Sequence, residues 1–272
     1  MPQDPRENHI LMCAPDHFEV AYVINPWMEG QTAKTVADLA LGQWTRLLVE
    51  IERHARISLL PIRPGLPDLV FTANAALVKG RTALVSRFRS IERRGEEQFD
   101  RLWFETNGYL VLDPPPGTFF EGAGDALYDE ARDLFWVGSG FRSGPDIAPL
   151  VQDKLVSRAV GLTLVDPRFY HLDTCLSPLP SGYVLYFPHA FDAPSRNLIE
   201  SLVPEDRRVV AAEDDALKFC CNAVVLNDHV IMNDASEGLQ ARLRAAGLVP
   251  VITPLGEFLK AGGAAKCLTL NL

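Results

Sequence analysis

No stretch of this chain approaches the ~20 consecutive apolar residues that a membrane-spanning helix requires. Its first residues, MPQDPRENHI, contain no apolar core of a signal peptide. A cytoplasmic protein without a membrane partner is expected. Cys-x-x-Cys and His-x-x-x-His pairs are missing, and no carboxylate cluster takes their place, so no metal is expected; nucleophilic chemistry at a thiol requires no other cofactor. Basic charge is scarce. Lys and Arg number 26 against 35 Asp and Glu, a net charge of −9, and beyond short pairs such as Arg93-Arg94 the cations are scattered. That balance argues against nucleic acid as a partner, because phosphate backbones are met by a basic face. It suits a small cationic ligand. The five cysteines, at 13, 175, 220, 221 and 267, are odd in number and lack a secretory context. Free thiols in a reducing compartment are expected, not a disulfide framework. A homo-oligomer is left open.

What is present reads as one enzyme-sized α/β domain over residues 1–272. Of the 272 residues, 47% are hydrophobic and 22% charged, enough to bury a substantial core. Apolar spacing predicts helices near 32–54, 92–107, 146–158, 193–203 and 235–246. In the last, Ser236 is placed to cap the start and Gly247 to stop the end. Short strand-like runs lie between them: Leu69–Phe71, Ala76–Val78, Ala83–Val85, Leu134–Val137, Tyr183–Phe187, Val224–Leu226 and Val230–Met232. After each helix comes another apolar run, at Ile57–Leu60, Tyr109–Leu112, Leu162–Val165, Arg208–Val210 and Val249–Ile252. The chain is thus about five units of strands, helix, strand. Five such modules bury their sheet faces by closing into a ring with helices outside. A doubly wound parallel sheet is the rival; the paired short strands and the lack of a glycine-rich phosphate loop count against it.

Several segments carry reactive side chains. Near the C-terminus, Gly262-Gly263-Ala264-Ala265-Lys266-Cys267 puts a thiol after small residues that let backbone approach a ligand. Lys266 is a source of thiolate stabilisation only if it does not point away, as strand neighbours do. A lone cysteine is otherwise most simply structural. In an extended Phe169-Tyr170-His171-Leu172-Asp173-Thr174-Cys175, His171 and Asp173 share a side, so the carboxylate either sets the imidazole tautomer or joins it in binding a cation; the plain alternative is a surface turn. Phe119-Phe120-Glu121-Gly122-Ala123-Gly124-Asp125 places two acids behind two aromatics. A guanidinium fork is one good reason to bury carboxylates, a solvated turn the competing one. Asn74, in an apolar strand, needs polar partners and serves either a neighbouring loop or a substrate. Asn25, Arg93 and Arg142 are candidates for the far end of a substrate, Arg142 through an α-carboxylate. Cys220-Cys221 reads as core.

Phe120-Glu121-Gly122-Ala123-Gly124-Asp125, His171-Leu172-Asp173-Thr174 and Gly262-Gly263-Ala264-Ala265-Lys266-Cys267 together resemble the guanidine-modifying superfamily with the pentein fold, in the family's order and over nearly the whole chain. The resemblance implies a five-bladed α/β propeller of repeated ββαβ units around a pseudo-five-fold axis. It implies Cys267 as nucleophile, His171 as general acid/base, and Glu121 as a carboxylate serving the guanidinium, with Asp173 facing the substrate. Deiminases and dimethylarginine hydrolases usually hold an acid where this chain has Asn74. Arginine dihydrolases, which convert arginine to ornithine, carbon dioxide and two ammonia, hold asparagine there, and this sequence is most similar to them. Residues matching Asn25, Arg93, Asp125 and Arg142 are implied to bind substrate, and a chain ending at Leu272 is expected to lack the C-terminal ornithine-processing domain of some members. Hydrolysis of dimethylarginine, or of arginine to citrulline, is the alternative. Amidino transfer and non-catalytic arginine binding are rivals of other classes.

Overall fold

Helix-forming periodicity in this chain serves one repeated purpose, to carry the backbone from the middle strand of a small sheet to a parallel outer strand. The computed structural model describes residues 8–272. It contains five three-stranded sheets. The first two comprise β1 (His9–Cys13), α1 (Ala37–Glu52) and β2 (Arg56–Leu60), then β3 (Ala76–Lys79), β4 (Thr82–Val85), α2 (Arg94–Thr106) and β5 (Leu110–Leu112). The third is β6 (Ala126–Asp129), β7 (Leu134–Ser139), α3 (Ile147–Leu155) and β8 (Ala159–Thr163). The fourth is β9 (Leu176–Pro178), β10 (Val184–Tyr186), α4 (Ala193–Leu202) and β11 (Arg208–Val210). After the short α5 (Glu213–Ala216), the fifth is β12 (Val224–Leu226), β13 (His229–Met232), α6 (Glu237–Ala245) and β14 (Val249–Ile252); α7 (Gly256–Leu259) and β15 (Leu270–Asn271) end the chain.

In four sheets an antiparallel hairpin precedes the helix, and the outer strand returns parallel to the middle one. The first sheet takes its inner strand from the other end of the chain. β15 lies antiparallel to β1, with Leu270 opposite Leu11. This pairing closes the ring. One edge strand from every sheet, β3, β6, β9, β12 and β15, lines a common axial cavity of ≈ 720 Å³. The architecture is therefore the five-bladed α/β propeller.

Local chemistry explains the elements. On α1, Ala40, Trp44, Leu47 and Ile51 fall on one stripe and are buried. Burying a leucine such as Leu47 contributes roughly 1.5–3 kcal/mol. Ser236 Oγ accepts from Leu239 N–H at 3.2 Å to cap α6, and Gly247 leaves it at φ +81°. Three expectations are corrected. Leu69–Phe71 is not a strand, because Pro67 opens a 3₁₀ turn over Pro67–Val70. Asn74 ends a second 3₁₀ turn, Thr72–Asn74, held by Thr72 Oγ1 donating to Leu11 O and by Ala73 N–H donating to Cys267 O. His171 is extended, but a 3₁₀ turn at Leu172–Thr174 follows at once, so His171 and Asp173 are not related by strand alternation. In all three places side chains and neighbouring loops satisfy the backbone in place of a ladder partner.

Candidate active site

Every blade enters its inner strand through a tight loop, and the five loops meet at one end of the ring. Asn74 lies two residues before β3, Glu121 and Asp125 precede β6, His171 and Asp173 precede β9, and Cys267 precedes β15. The fifth loop, before β12, brings Asn222. Residues up to 193 positions apart in the chain, Asn74 and Cys267, thus meet at one end of the ring. A small cavity at this end is lined by Asn25, Asp68, Asn74, Arg93, Arg142 and Cys267 among others. The much larger axial cavity reaches Lys266 but not Cys267. Adjacent residues thus face different spaces, and the Cys267 thiol lines the smaller one.

Glu121 is fully buried and organises the cluster. Its Oε2 accepts from His171 Nε2 at 2.7 Å and from Arg142 at 3.1 Å, and its Oε1 accepts from Arg89 N–H. Burial alone raises a carboxyl's affinity for a proton. Here Arg142, the His171 hydrogen bond and Arg93 outweigh burial and hold Glu121 well below the usual carboxylate range. Because Glu121 only accepts, Nε2 carries the proton and a neutral His171 has Nδ1 as its basic nitrogen.

The Cys267 sulfur donates to Asp173 Oδ2 at 3.3 Å and receives the Asn222 amide N–H at 3.1 Å. Burial, then the Asp173 charge, push its proton affinity up, so in these surroundings the group is a thiol. Asp173 is itself raised, to about 6, by burial. Its Oδ1 has no hydrogen-bond partner among the described residues. A buried unpaired acceptor beside a buried thiol is costly unless a cationic donor arrives.

The remaining candidates form the cavity's far wall. Arg93 binds both Glu96 oxygens at 2.9 and 2.7 Å and reaches Asn74 Oδ1 at 2.8 Å. Arg142 also donates to Ile24 O and lies over the Tyr170 ring. Asn25 caps the turn at Pro26–Met28, accepting from Trp27 N–H, and donates to Ala261 O. Asp125 stands apart. Ser143 Oγ and Leu172 N–H occupy its two oxygens, so it orients the loop that carries Asp173. Two glycines matter through closeness. A Cβ on Gly262, whose φ is +81°, would meet Asn25 Oδ1 and the Tyr170 hydroxyl at 2.9 Å; one on Gly124 would collide with the Asn74 amide.

Sequence reading did not single out Asp68, Tyr170 or Asn222. Asp68 lines the cavity with Oδ1 unpartnered and Oδ2 holding the Tyr22 hydroxyl. Asn222 had a detectable signal. Phe71-Thr-Ala-Asn74-Ala75 and Phe219-Cys-Cys-Asn222-Ala223 have the same Phe-x-x-Asn-Ala spacing, each two residues from an inner strand. Among the described residues no cluster of three His, Cys, Asp or Glu side chains forms a metal site, and no helix is long and apolar enough to cross a membrane.

A thiol, an imidazole and carboxylates gathered by five loops at one end of a five-bladed α/β propeller define the guanidine-modifying, pentein class. Residues 19–272 match the family described as N,N dimethylarginine dimethylhydrolase, eukaryotic, and the chain belongs to that family. It is 51% identical over 263 residues to the bifunctional arginine dihydrolase/ornithine cyclodeaminase ArgZ of Synechocystis sp., covering 97% of this chain but 37% of ArgZ. The chain therefore spans little more than a third of that relative's length. It is 38% identical over 269 residues to the N(G),N(G)-dimethylarginine dimethylaminohydrolase of Mycobacterium tuberculosis, covering 98% of this chain and 87% of that enzyme. A crystal structure of the N-terminal domain of ArgZ, a cysteine-to-serine mutant bound to substrate, superposes with a TM-score of 0.96 at 50% identity over 97% of each chain.

Proposed function

We propose that this chain is a cysteine hydrolase that converts arginine to ornithine, carbon dioxide and two ammonia, with Cys267 as nucleophile, His171 as general acid/base and Glu121 as the carboxylate that orients it. The observation that carries the reading is the buried Cys267 thiol between Asp173 and Asn222, on a cavity whose wall holds an amide, Asn74, in place of a carboxylate. The arginine guanidinium docks against Asp173, whose Oδ1 needs a donor, and against Asn74. Asp68 takes the α-ammonium, and Arg93 and Arg142 face the α-carboxylate. Asn25 shapes the mouth, and Asp125 acts through the loop it holds.

The incoming cation offsets the Asp173 charge and lets the thiol ionise, its proton passing to the basic nitrogen of His171. Thiolate sulfur then bonds to the guanidinium carbon, and the C=N electron pair moves onto nitrogen. His171 gives a proton to that nitrogen, the C–N bond breaks and ammonia leaves a thiouronium. The now basic His171 takes a proton from water, hydroxide adds to the carbon, and the C–S bond breaks to return thiolate and a ureido group. A second round on the ureido carbon expels the second ammonia. Water then releases a carbamate that splits into ornithine and carbon dioxide. Two waters are consumed per arginine.

An amide at position 74 fits both stages, since it has a donor and an acceptor for a cationic guanidinium or a neutral ureido oxygen. Its Oδ1 is shared with Arg93 and one Nδ2 proton with Glu121 O, which leaves one lone pair and one proton. Hydrolysis of dimethylarginine is the second reading, favoured by the family match. Product analysis with arginine and with dimethylarginine tests both. Ornithine with two ammonia per arginine, and none from Cys267→Ser, is expected. Citrulline with one ammonia, or faster turnover of dimethylarginine, overturns the dihydrolase assignment. The buried free thiols favour a reducing, cytoplasmic setting.

A further inference from the structure

We propose that Asn222 is a further catalytic residue, the N–H donor that stabilises the Cys267 thiolate as it forms and fixes the sulfur in place for attack. This rests on the assignment of Cys267 as nucleophile. Asn222 is fully buried, and all four hydrogen-bonding positions of its amide are used. Oδ1 accepts from Ala264 N–H at 3.1 Å and from Cys267 N–H at 3.2 Å. Nδ2 donates to Asp173 O at 3.2 Å and to the sulfur at 3.1 Å.

This network leaves the amide one orientation. Rotating it by half a turn would set two N–H donors of the side chain against two backbone N–H groups. Nitrogen must therefore face sulfur. A thiol can take that hydrogen bond, and a thiolate takes it more strongly, because hydrogen bonds to charged acceptors are about twice as strong as neutral ones. Donation thus favours the ionised, nucleophilic form.

The same side chain ties three loops together. It joins the loop before β12 to the Asp173 backbone of the fourth blade and to the Cys267 loop of the first. Lys266 N–H also donates to Asn222 O, so two successive backbone N–H groups, those of Lys266 and Cys267, are held by Asn222. The fold places Asn222 where the second blade places Asn74, two residues before the inner strand. The ring thus supplies two amides. One meets the substrate side of the cavity and the other the sulfur.

The test uses the whole chain with Asn222→Asp and Asn222→Ser. Aspartate keeps an oxygen for the Ala264 and Cys267 N–H groups, so the loop stays pinned while the donor is lost and a negative charge faces sulfur. The pH dependence of iodoacetamide labelling of Cys267, read by mass spectrometry of its peptide, reports the thiolate directly. For Asn222→Asp the labelling midpoint is expected to rise by about one pH unit or more, tenfold less thiolate at a given pH. Its kcat for arginine should fall about 10- to 100-fold, with KM changed by less than about threefold. Asn222→Ser, a shorter hydroxyl donor, should fall between wild type and the aspartate variant. An unchanged midpoint in both variants overturns the proposal, even if kcat falls, because a purely structural role would not move thiol ionisation. Retained turnover in Cys267→Ser would instead overturn the nucleophile assignment.

Discussion

Replacing Asn74 by aspartate alters two contacts that the structure defines. Asn74 Oδ1 accepts from Arg93 at 2.8 Å, and Nδ2 donates to Glu121 O at 3.1 Å. In Asn74→Asp the first becomes charge-assisted and gains about 1 kcal/mol. The second becomes oxygen facing oxygen and loses about 1–3 kcal/mol. The net cost to stability is about 0–2 kcal/mol, and the variant folds. Its chemistry changes more. A carboxylate suits a guanidinium, but against a ureido group it has no proton to give the carbonyl oxygen. A lost or mismatched hydrogen bond to a charged group is worth about 1.5–3 kcal/mol, so release of the ureido intermediate should gain on the second attack by about 10- to 100-fold. The assay is chromatographic separation of ornithine and citrulline from arginine, with ammonia counted in the same reactions. Citrulline with one ammonia is expected. Ornithine as sole product with two ammonia, at undiminished kcat, would refute the assignment of position 74 as the group that retains the intermediate.

Two further outcomes follow from buried carboxylates. Burial raises Asp173 to about 6, against about 3.9 in an unfolded chain, so the folded protein binds the extra proton between those values. Its contribution to stability is fully present below pH ~4 and is lost as pH rises through 6, by about 3 kcal/mol at most. Asp173→Asn should therefore unfold at higher temperature than wild type at pH 8 but not at pH 4, while losing arginine turnover. A melting-temperature difference that does not grow with pH would contradict this. Asp68→Asn keeps the Tyr22 hydroxyl as neighbour but removes the charge facing an α-ammonium. KM for arginine should rise about tenfold or more with kcat little changed; steady-state kinetics with an unaltered KM would remove Asp68 from the binding assignment.

The primary structure by itself determined the repeat. Helices at 3.6-residue spacing, each followed by a short apolar run, were legible because burial of one face imposes a local period. The structure adds to that reading the inner strands of the third, fourth and first blades. β6, β9 and β15 are 4, 3 and 2 residues long, too short to show alternation, and β15 finds its partner only across the full length of the chain. Cys267, His171 and Glu121 were legible as chemically unusual groups beside glycines and aromatics.

Only the tertiary structure decided what those groups face. Strand alternation suggested a shared side for His171 and Asp173, yet 3₁₀ turns set their directions, His171 toward Glu121 and Asp173 toward Cys267. Whether Lys266 stands beside the thiol was undecided in sequence; it lines the axial cavity while Cys267 lines the other. Asp125, grouped with Glu121 by its place in the sequence, accepts from Ser143 Oγ and Leu172 N–H, a link to the Asp173 loop that sequence does not show. Asp68 carries no local mark of its role, and the spacing that Asn222 shares with Asn74 does not tell what either amide faces, because a carboxylate or an amide acquires a role from the groups that leave its hydrogen-bonding positions open or fill them. Those groups come from other blades, brought within about 3 Å by closure of the ring.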